Sequence, residues 1–223
     1  MTDDMAVTLL VVAKAPVPGL AKTRLMKAMS AEAAAGIAAA ALLDTLAAVA
    51  STPAHRRVVA MTGELADAAR SDEVREALSQ FVVVDQRGDD FATRLVNAHH
   101  DAFDGDPIVQ IGMDTPQVTP ALLTSVCTAL LDLPEHCVLG PALDGGWWVL
   151  GVPNPTWVVP VGSVPMSQSD TGDLTRAALE KAGARVVLVE PLLDADELDD
   201  LQAVADLCAP TSNFARAVAD QSR

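Results

Sequence analysis

Tyrosine is absent from this chain, and aromatic residues of any kind make up only 3% of its 223 positions. A core without aromatic bulk has to be filled by Ala, Val and Leu. Positive charge is scarce too: 15 Lys and Arg stand against 30 Asp and Glu, a formal net charge of −15. Such an acidic surface excludes a nucleic-acid partner, which needs a basic face to neutralise phosphates, and equally an anionic membrane surface. The three cysteines, Cys127, Cys137 and Cys208, are odd in number and lack metal-ligand spacing, so reduced, buried thiols are expected. His55, His99, His100 and His136 share no ligand spacing either. No apolar run reads as long enough to cross a bilayer uninterrupted; the Ala-rich 31–43 segment comes nearest and is too short. The opening "MTDDMAVTLL" is acidic where a secretory leader is basic, so a cytoplasmic location is expected.

What is present is an alternation. Short runs rich in Val, Ile and Leu at 7–13, 57–61, 81–84, 107–112, 137–140, 147–152 and 185–190 read as strands. Helical segments at 30–50, 64–79, 90–103, 119–131, 171–182 and 196–208 fall between them. The pattern implies one α/β domain over residues 1–210: a mostly parallel central sheet, right-handed crossovers and helices on both faces. Residues 151–165 form the longest irregular stretch, either a mobile loop near a site or a plain connection, and residues 211–223 read as a polar, frayed tail. In such sheets ligands bind beyond the C-terminal ends of the strands, so the residues that follow each strand carry the functional information.

Lys14, Lys22, Arg24 and Lys27 form a cationic island between Asp4 and Glu32, where no acid intervenes. Within it "KAPVPGLAKTRL" follows the first strand. Ala21 precedes Lys22 and there is a single glycine, so neither a P-loop nor a dinucleotide fingerprint fits. Pro16 and Pro18 stiffen the turn, and Gly19 would let the backbone approach a ligand. Lys22-Thr23-Arg24 on a first helical turn would offer a point charge, a planar fork and helix amides to a phosphate. A surface turn with solvated cations is the competing explanation. After the fourth strand, Asp114 in "IGMDTPQVTP" suits a hard ion such as Mg²⁺ or Mn²⁺, with Thr119 the better helix cap. "LGPALDGGWWVLG" contains Asp144-Gly145-Gly146, a hairpin turn or room for an acceptor, and one of Trp147 and Trp148 should face the core. In "PLLDADELDDL", Asp194 and Asp196 project the same way if extended and could complete a metal site with Asp114; a helix cap is the alternative for Asp196. Arg94 and Asn97 share a helical face near Gly88-Asp89-Asp90.

"AKAPVPGLAKTRL", "IGMDTP" and "LGPALDGGWWVLG", in this order, resemble the bacterial GT-A-fold transferases of the glycosyltransferase-like family, of the arsenosugar-biosynthesis and selenodomain-associated type. Molybdenum cofactor guanylyltransferase and phospholactate guanylyltransferase are more distant likenesses. The resemblance runs from about residue 7 to about residue 205. It implies a single nucleotide-diphospho-sugar transferase domain in which Lys14, Pro16, Gly19, Lys22, Thr23, Arg24 and Asp114 contact the nucleotide. It further implies metal binding by Asp114, Asp194 and Asp196, and an acceptor side at Asp144, Gly145, Gly146 and Trp147. Departures from the family pattern gather on the acceptor side: Met113 stands for Ser, Trp147-Trp148 for tyrosines, and "VPMSQSDTG" for a Trp-Ser-Thr stretch.

The expected activity is metal-dependent transfer from a nucleotide donor to a small acceptor, with Lys22, Arg24 and Asp144 as the catalytic groups and Mg²⁺ or Mn²⁺ as cofactor. Glycosyl transfer from a diphospho-sugar and nucleotidyl transfer at an α-phosphate fit the same residues. A nucleotide binder without turnover remains a rival from another class, and a flavodoxin-like binder a weaker one.

Overall fold

The computed structural model describes residues 4–221; residues 1–3 and 222–223, at the ends of the expected domain and tail, lie outside the described residues. Among the described residues there are seven strands: β1 (Thr8–Lys14), β2 (Arg56–Thr62), β3 (Val82–Asp85), β4 (Ile108–Ile111), β5 (His136–Pro141), β6 (Trp147–Val152) and β7 (Arg185–Leu188). The helices are α1 (Ala31–Ala50), α2 (Ser71–Leu78), α3 (Phe91–Ala102), α4 (Pro120–Asp132), α5 (Thr171–Lys181), α6 (Leu198–Leu207) and α7 (Asn213–Gln221).

β1 is buried from Thr8 to Ala13, because helices cover both of its faces. Its alternating side chains divide between two cores. Leu9, Val11 and Ala13 join Leu42 and Leu46 of α1 on one face, while Leu10 and Val12 join Leu95 and Ala98 of α3 on the other. The single sheet runs in the order β3-β2-β1-β4-β6-β5-β7. Every pairing is parallel except those of β6, which is antiparallel to both β4 and β5. The expected rule of crossovers therefore fails once. Residues 142–146 are too few to carry the chain across the sheet, so β5 and β6 form a hairpin.

Helix starts follow local chemistry. Ser30, Asp90 and Thr119 accept hydrogen bonds from Ala33, Thr93 and Leu122, capping α1, α3 and α4, and Pro120 opens α4. Three expectations need correction. The helix expected over 64–79 is broken into a 3-10 turn, Leu65–Asp67, and α2, because Ala69 donates its N–H to the Pro16 carbonyl at 2.9 Å instead of to a helical one. α1 keeps the expected bounds, but at 20 residues it is long and apolar enough to cross a bilayer, which no run was expected to be; it is the central helix of the core, buried at positions from Ala34 to Val49. The expected tail is α7: Phe214 and Val218 pack against Ile37 and Ala41 of α1, and Asp44 accepts from the Asn213 and Phe214 amides at 3.0 and 2.8 Å. Residues 151–165 carry two 3-10 turns whose Val158 and Val161 are buried in the α3 core, so they are a packed connection. Cys127 and Cys137 are buried and unbridged, and burial pushes both thiols up to about 12.

Candidate active site

After β1 the chain turns through buried Pro16, and the Lys14 ammonium donates to the Leu20 carbonyl at 2.8 Å, closing the loop on itself. Gly19 has φ +80°, and a Cβ added there would meet nothing within 4 Å, so the backbone conformation requires the glycine, not a close approach. Lys22 also has a positive φ, +47°, which is unfavourable for a lysine and is held in place by what its side chain does. Its ammonium lies 2.5 Å from Asp114 Oδ1 and 2.5 Å from Asp196 Oδ1, and the side chain is only 6% exposed. Burial lowers its pKa; the Asp114 and Asp196 carboxylates outweigh that and raise it overall. Arg24, half exposed, lies 3.6 Å from Asp196 and 3.7 Å from Glu197. The helical turn expected at 22–24 is missing. Arg24 precedes a 3-10 turn, Leu25–Lys27, and α1 begins only at Ala31, so side-chain charge and not a helix terminus makes this loop attractive to anions.

The loop after β4 is laced to the segment before α6. The Asp114 carbonyl accepts from Ala195 N–H at 3.1 Å, and the Gln117 side chain donates to the Leu193 carbonyl at 2.7 Å. Asp194 and Asp196 thereby reach the end of β4. Asp196 is no helix cap: Glu197 holds that position without a capping bond, and Asp196 is committed to Lys22. Burial raises the pKa of Asp196, but Lys22 and then Arg24 reverse the shift and hold it below the usual range. Asp194 has the opposite fate. Its Oδ1 is buried and accepts no hydrogen bond from the protein. Burial, reinforced by the carboxylates of Asp114, Asp144 and Asp196, pushes its pKa up to about 8.

The β5–β6 turn contributes Asp144, whose Oδ1 accepts from Gly146 N–H at 2.8 Å. Gly145 has φ +93°, and a Cβ there would fall 1.8 Å from the Ser169 carbonyl oxygen. The glycine expected to leave room for an acceptor makes room for the chain's own 167–172 segment, whose Gly172 N–H bonds to the Gly145 carbonyl at 2.8 Å. Trp148 faces the core and donates to the Glu190 carbonyl at 2.9 Å; Trp147 faces the site.

Two chambers result. The larger, about 420 Å³, is lined by Asp114, Asp144, Asp194 and Asp196 and by Trp147 and Gly146. The smaller, about 250 Å³, is lined by Lys14, Lys22, Thr23 and Arg24. Asp114, Asp196, Arg24 and Met113 line both and form the shared wall. Pro16, Gly19 and Gly145 line neither chamber. Among the described residues no three His, Cys, Asp or Glu side chains are closed into a ready metal cage. Gln110, Thr115 and Glu197 line the larger chamber and escaped the sequence reading. The available signal was a polar residue inside an apolar strand, "PIVQIG", and a hydroxyl directly after Asp114. Arg94 and Asn97 line neither chamber; Asn97 donates to the Arg87 carbonyl at 2.8 Å.

A parallel sheet with one reversed strand and an acidic cluster beyond its C-terminal ends has the fold of the nucleotide-diphospho-sugar transferases. The chain is similar to a protein from Desulfovibrio desulfuricans G20 assigned to those transferases, with a TM-score of 0.83 and 22% identity over 98% of this chain and 96% of that one. It is also similar to a cytidylyltransferase from Leptospira borgpetersenii serovar Hardjo-bovis (TM-score 0.61, 14% identity, 98% and 94% covered). A nucleotidyl transferase from Methanothermobacter thermautotroptrophicus shares the fold as well (TM-score 0.57, 19% identity, 94% and 98% covered). No curated protein matches the sequence. The chain belongs to DUF2064, a family described as uncharacterized proteins conserved in bacteria, which it matches over residues 45–168. Asp114 and the Asp144 turn lie inside that match, while the cationic loop and Asp194 and Asp196 lie outside it.

Proposed function

We propose that the protein is a nucleotide-dependent transferase that moves a glycosyl group from a nucleotide-diphospho-sugar to a small acceptor. The observation that carries this reading is the Lys22 ammonium, held between Asp114 and Asp196 at the wall shared by the two chambers. The smaller chamber takes the diphosphate, with Lys14, Lys22, Thr23 and Arg24 around its oxygens. Five acids, Asp114, Asp144, Asp194, Asp196 and Glu197, outnumber the three cations Lys14, Lys22 and Arg24 around the two chambers. A polyphosphate would meet a net negative field there unless a divalent cation came with it. The donor set suits Mg²⁺ or Mn²⁺: carboxylate oxygens of Asp114 and the buried, unpartnered Oδ1 of Asp194. When bound, such an ion supplies positive charge opposite the departing diphosphate.

The chain's own groups do the rest. The anomeric carbon's bond to the diphosphate oxygen breaks, and its electron pair leaves with the diphosphate. Lys22 and Arg24 hold fixed positive charge against those oxygens as that charge grows. Asp144 keeps Oδ1 on the Gly146 amide and turns its other oxygen to the acceptor hydroxyl, taking its proton as the new carbon–oxygen bond forms. Trp147 offers a flat face to the acceptor.

Nucleotidyl transfer is the second reading, favoured by three cations around one chamber of about 250 Å³, which suits a triphosphate. Attack would then fall on the α-phosphate, with pyrophosphate leaving. Calorimetric titration of nucleoside triphosphates, diphosphates and diphospho-sugars, with and without Mn²⁺, tests both on wild type and Asp114→Asn. Metal-dependent binding that the variant loses is expected. Preference for a diphospho-sugar supports glycosyl transfer and preference for a triphosphate supports nucleotidyl transfer. No binding across the panel would refute both.

A further inference from the structure

β4 runs between β1 and β6 in the middle of the sheet, and all four of its residues are buried. Gln110 is its one polar side chain and is 2% exposed. Its register partners, Leu10 and Leu150, both belong to the apolar core under α3. The side chain's Oε1 is buried and accepts no hydrogen bond from the protein. A buried amide oxygen without a donor inside an apolar core is destabilising, and a leucine would fill the same place without that penalty. A polar group kept there against stability calls for an explanation outside the fold.

The larger chamber supplies one. Gln110 lines it together with Val12, Leu95, Phe91 and Trp147. These are apolar or aromatic and stand on β1, α3 and β6. The charged residues of the same chamber, Arg24, Asp114, Asp144, Asp194, Asp196 and Glu197, all stand in the segments beyond the strand ends, and Lys14 and Lys22 lie in the other chamber. The ligand part that fits is flat and uncharged, with apolar faces and a hydrogen-bonding edge. A sugar, with hydroxyls all round, would leave most of them facing hydrocarbon. A nucleobase has the right shape, and an amide offers a donor and an acceptor side by side to its edge.

We propose that Gln110 determines base specificity, its amide meeting the edge of the donor's nucleobase, which lies against Val12, Leu95 and Phe91. The proposal rests on the transferase reading for the presence of a nucleotide and adds where its base is read. The test is calorimetric titration of adenosine, cytidine, guanosine and uridine diphosphates, with pyrophosphate as the control lacking a base. All are measured with Mn²⁺ on wild type and Gln110→Leu. Wild type should favour one base, and Gln110→Leu should lower that affinity roughly 10- to 100-fold. The variant should flatten the preference and leave pyrophosphate unchanged. It should also melt no lower than wild type, and Gln110→Met, similar in length, serves if the leucine variant does not fold. Equal preference in wild type and variant would overturn the proposal, as would a variant that loses pyrophosphate equally. Binding of nucleotides without any base preference overturns this inference alone, whereas failure of every ligand to bind overturns the transferase reading with it.

Discussion

Replacing Asp194 with Asn should stabilise the metal-free protein at alkaline pH and do little at acid pH. In the unfolded chain this carboxyl ionises near 3.9; in the folded protein, buried among three other carboxylates, it ionises at about 8. Between those values the native state holds a proton that the unfolded state has released, so rising pH favours unfolding. The full interval sets a ceiling of about 6 kcal/mol. Partial exposure and movement of the neighbouring acids reduce this to about 2 to 3 kcal/mol. For a chain of this size that is roughly 5 to 10 °C in melting temperature. The assay is thermal unfolding of wild type and Asp194→Asn with a chelator present, at about pH 4 and about pH 8.5. The two should melt together at the lower pH, with the variant melting higher at the upper. Taking the difference cancels His99, which burial holds down to about 4 and which destabilises the fold in the opposite direction, as pH falls below its ordinary value. Added Mn²⁺ should then raise wild type more than the variant, by giving the carboxylate a partner. A difference that stays constant with pH, or a variant that melts lower at about pH 8.5, would refute the reasoning.

Other outcomes follow from single contacts. Gly145→Ala drives a methyl group to 1.8 Å from the Ser169 carbonyl oxygen at a φ of +93°; calorimetric unfolding should show a loss of about 3 kcal/mol or more. Asp44→Ala removes the acceptor of three hydrogen bonds at the start of α7. Its expected cost is about 1 to 2 kcal/mol, with faster proteolysis between α6 and α7. Lys22→Ala should weaken nucleotide binding by roughly tenfold or more in a titration; unchanged affinity would remove the phosphate role of that loop.

The strands were legible because each is a short run of Val, Ile and Leu flanked by turn residues, a local property. The reversal of β6 was only half legible. Asp144-Gly145 signals a hairpin by itself, but its place between β4 and β5 is a matter of long-range pairing. α7 was missed because "NFARAVADQ" is polar on average, and its buried pair, Phe214 and Val218, is spaced for one helical face only. Asp196 shows why charges near helix starts mislead. Its neighbours in sequence suggest a cap, while its partner, Lys22, is 174 positions away. Asp114, Asp194 and Lys22 could be picked out after strands, yet nothing local indicated that an ammonium would stand between two of the aspartates. Gln110 was passed over because one polar residue does not disturb an apolar strand pattern, and its missing hydrogen bond exists only in three dimensions.

That separation of Lys22 from Asp196 has a consequence for synthesis. The ribosome releases Lys22 174 residues ahead of Asp196, and through that interval the ammonium has no Asp196 to bridge to. β7 must emerge beside β5, and residues 191–197 must cross back to the end of β4, before the ammonium is held from both sides. Closing so long a loop is among the slower steps open to a chain of this size. The wall between the chambers is therefore completed only once Asp196 has emerged, and nascent chains arrested before Asp194 would lack it.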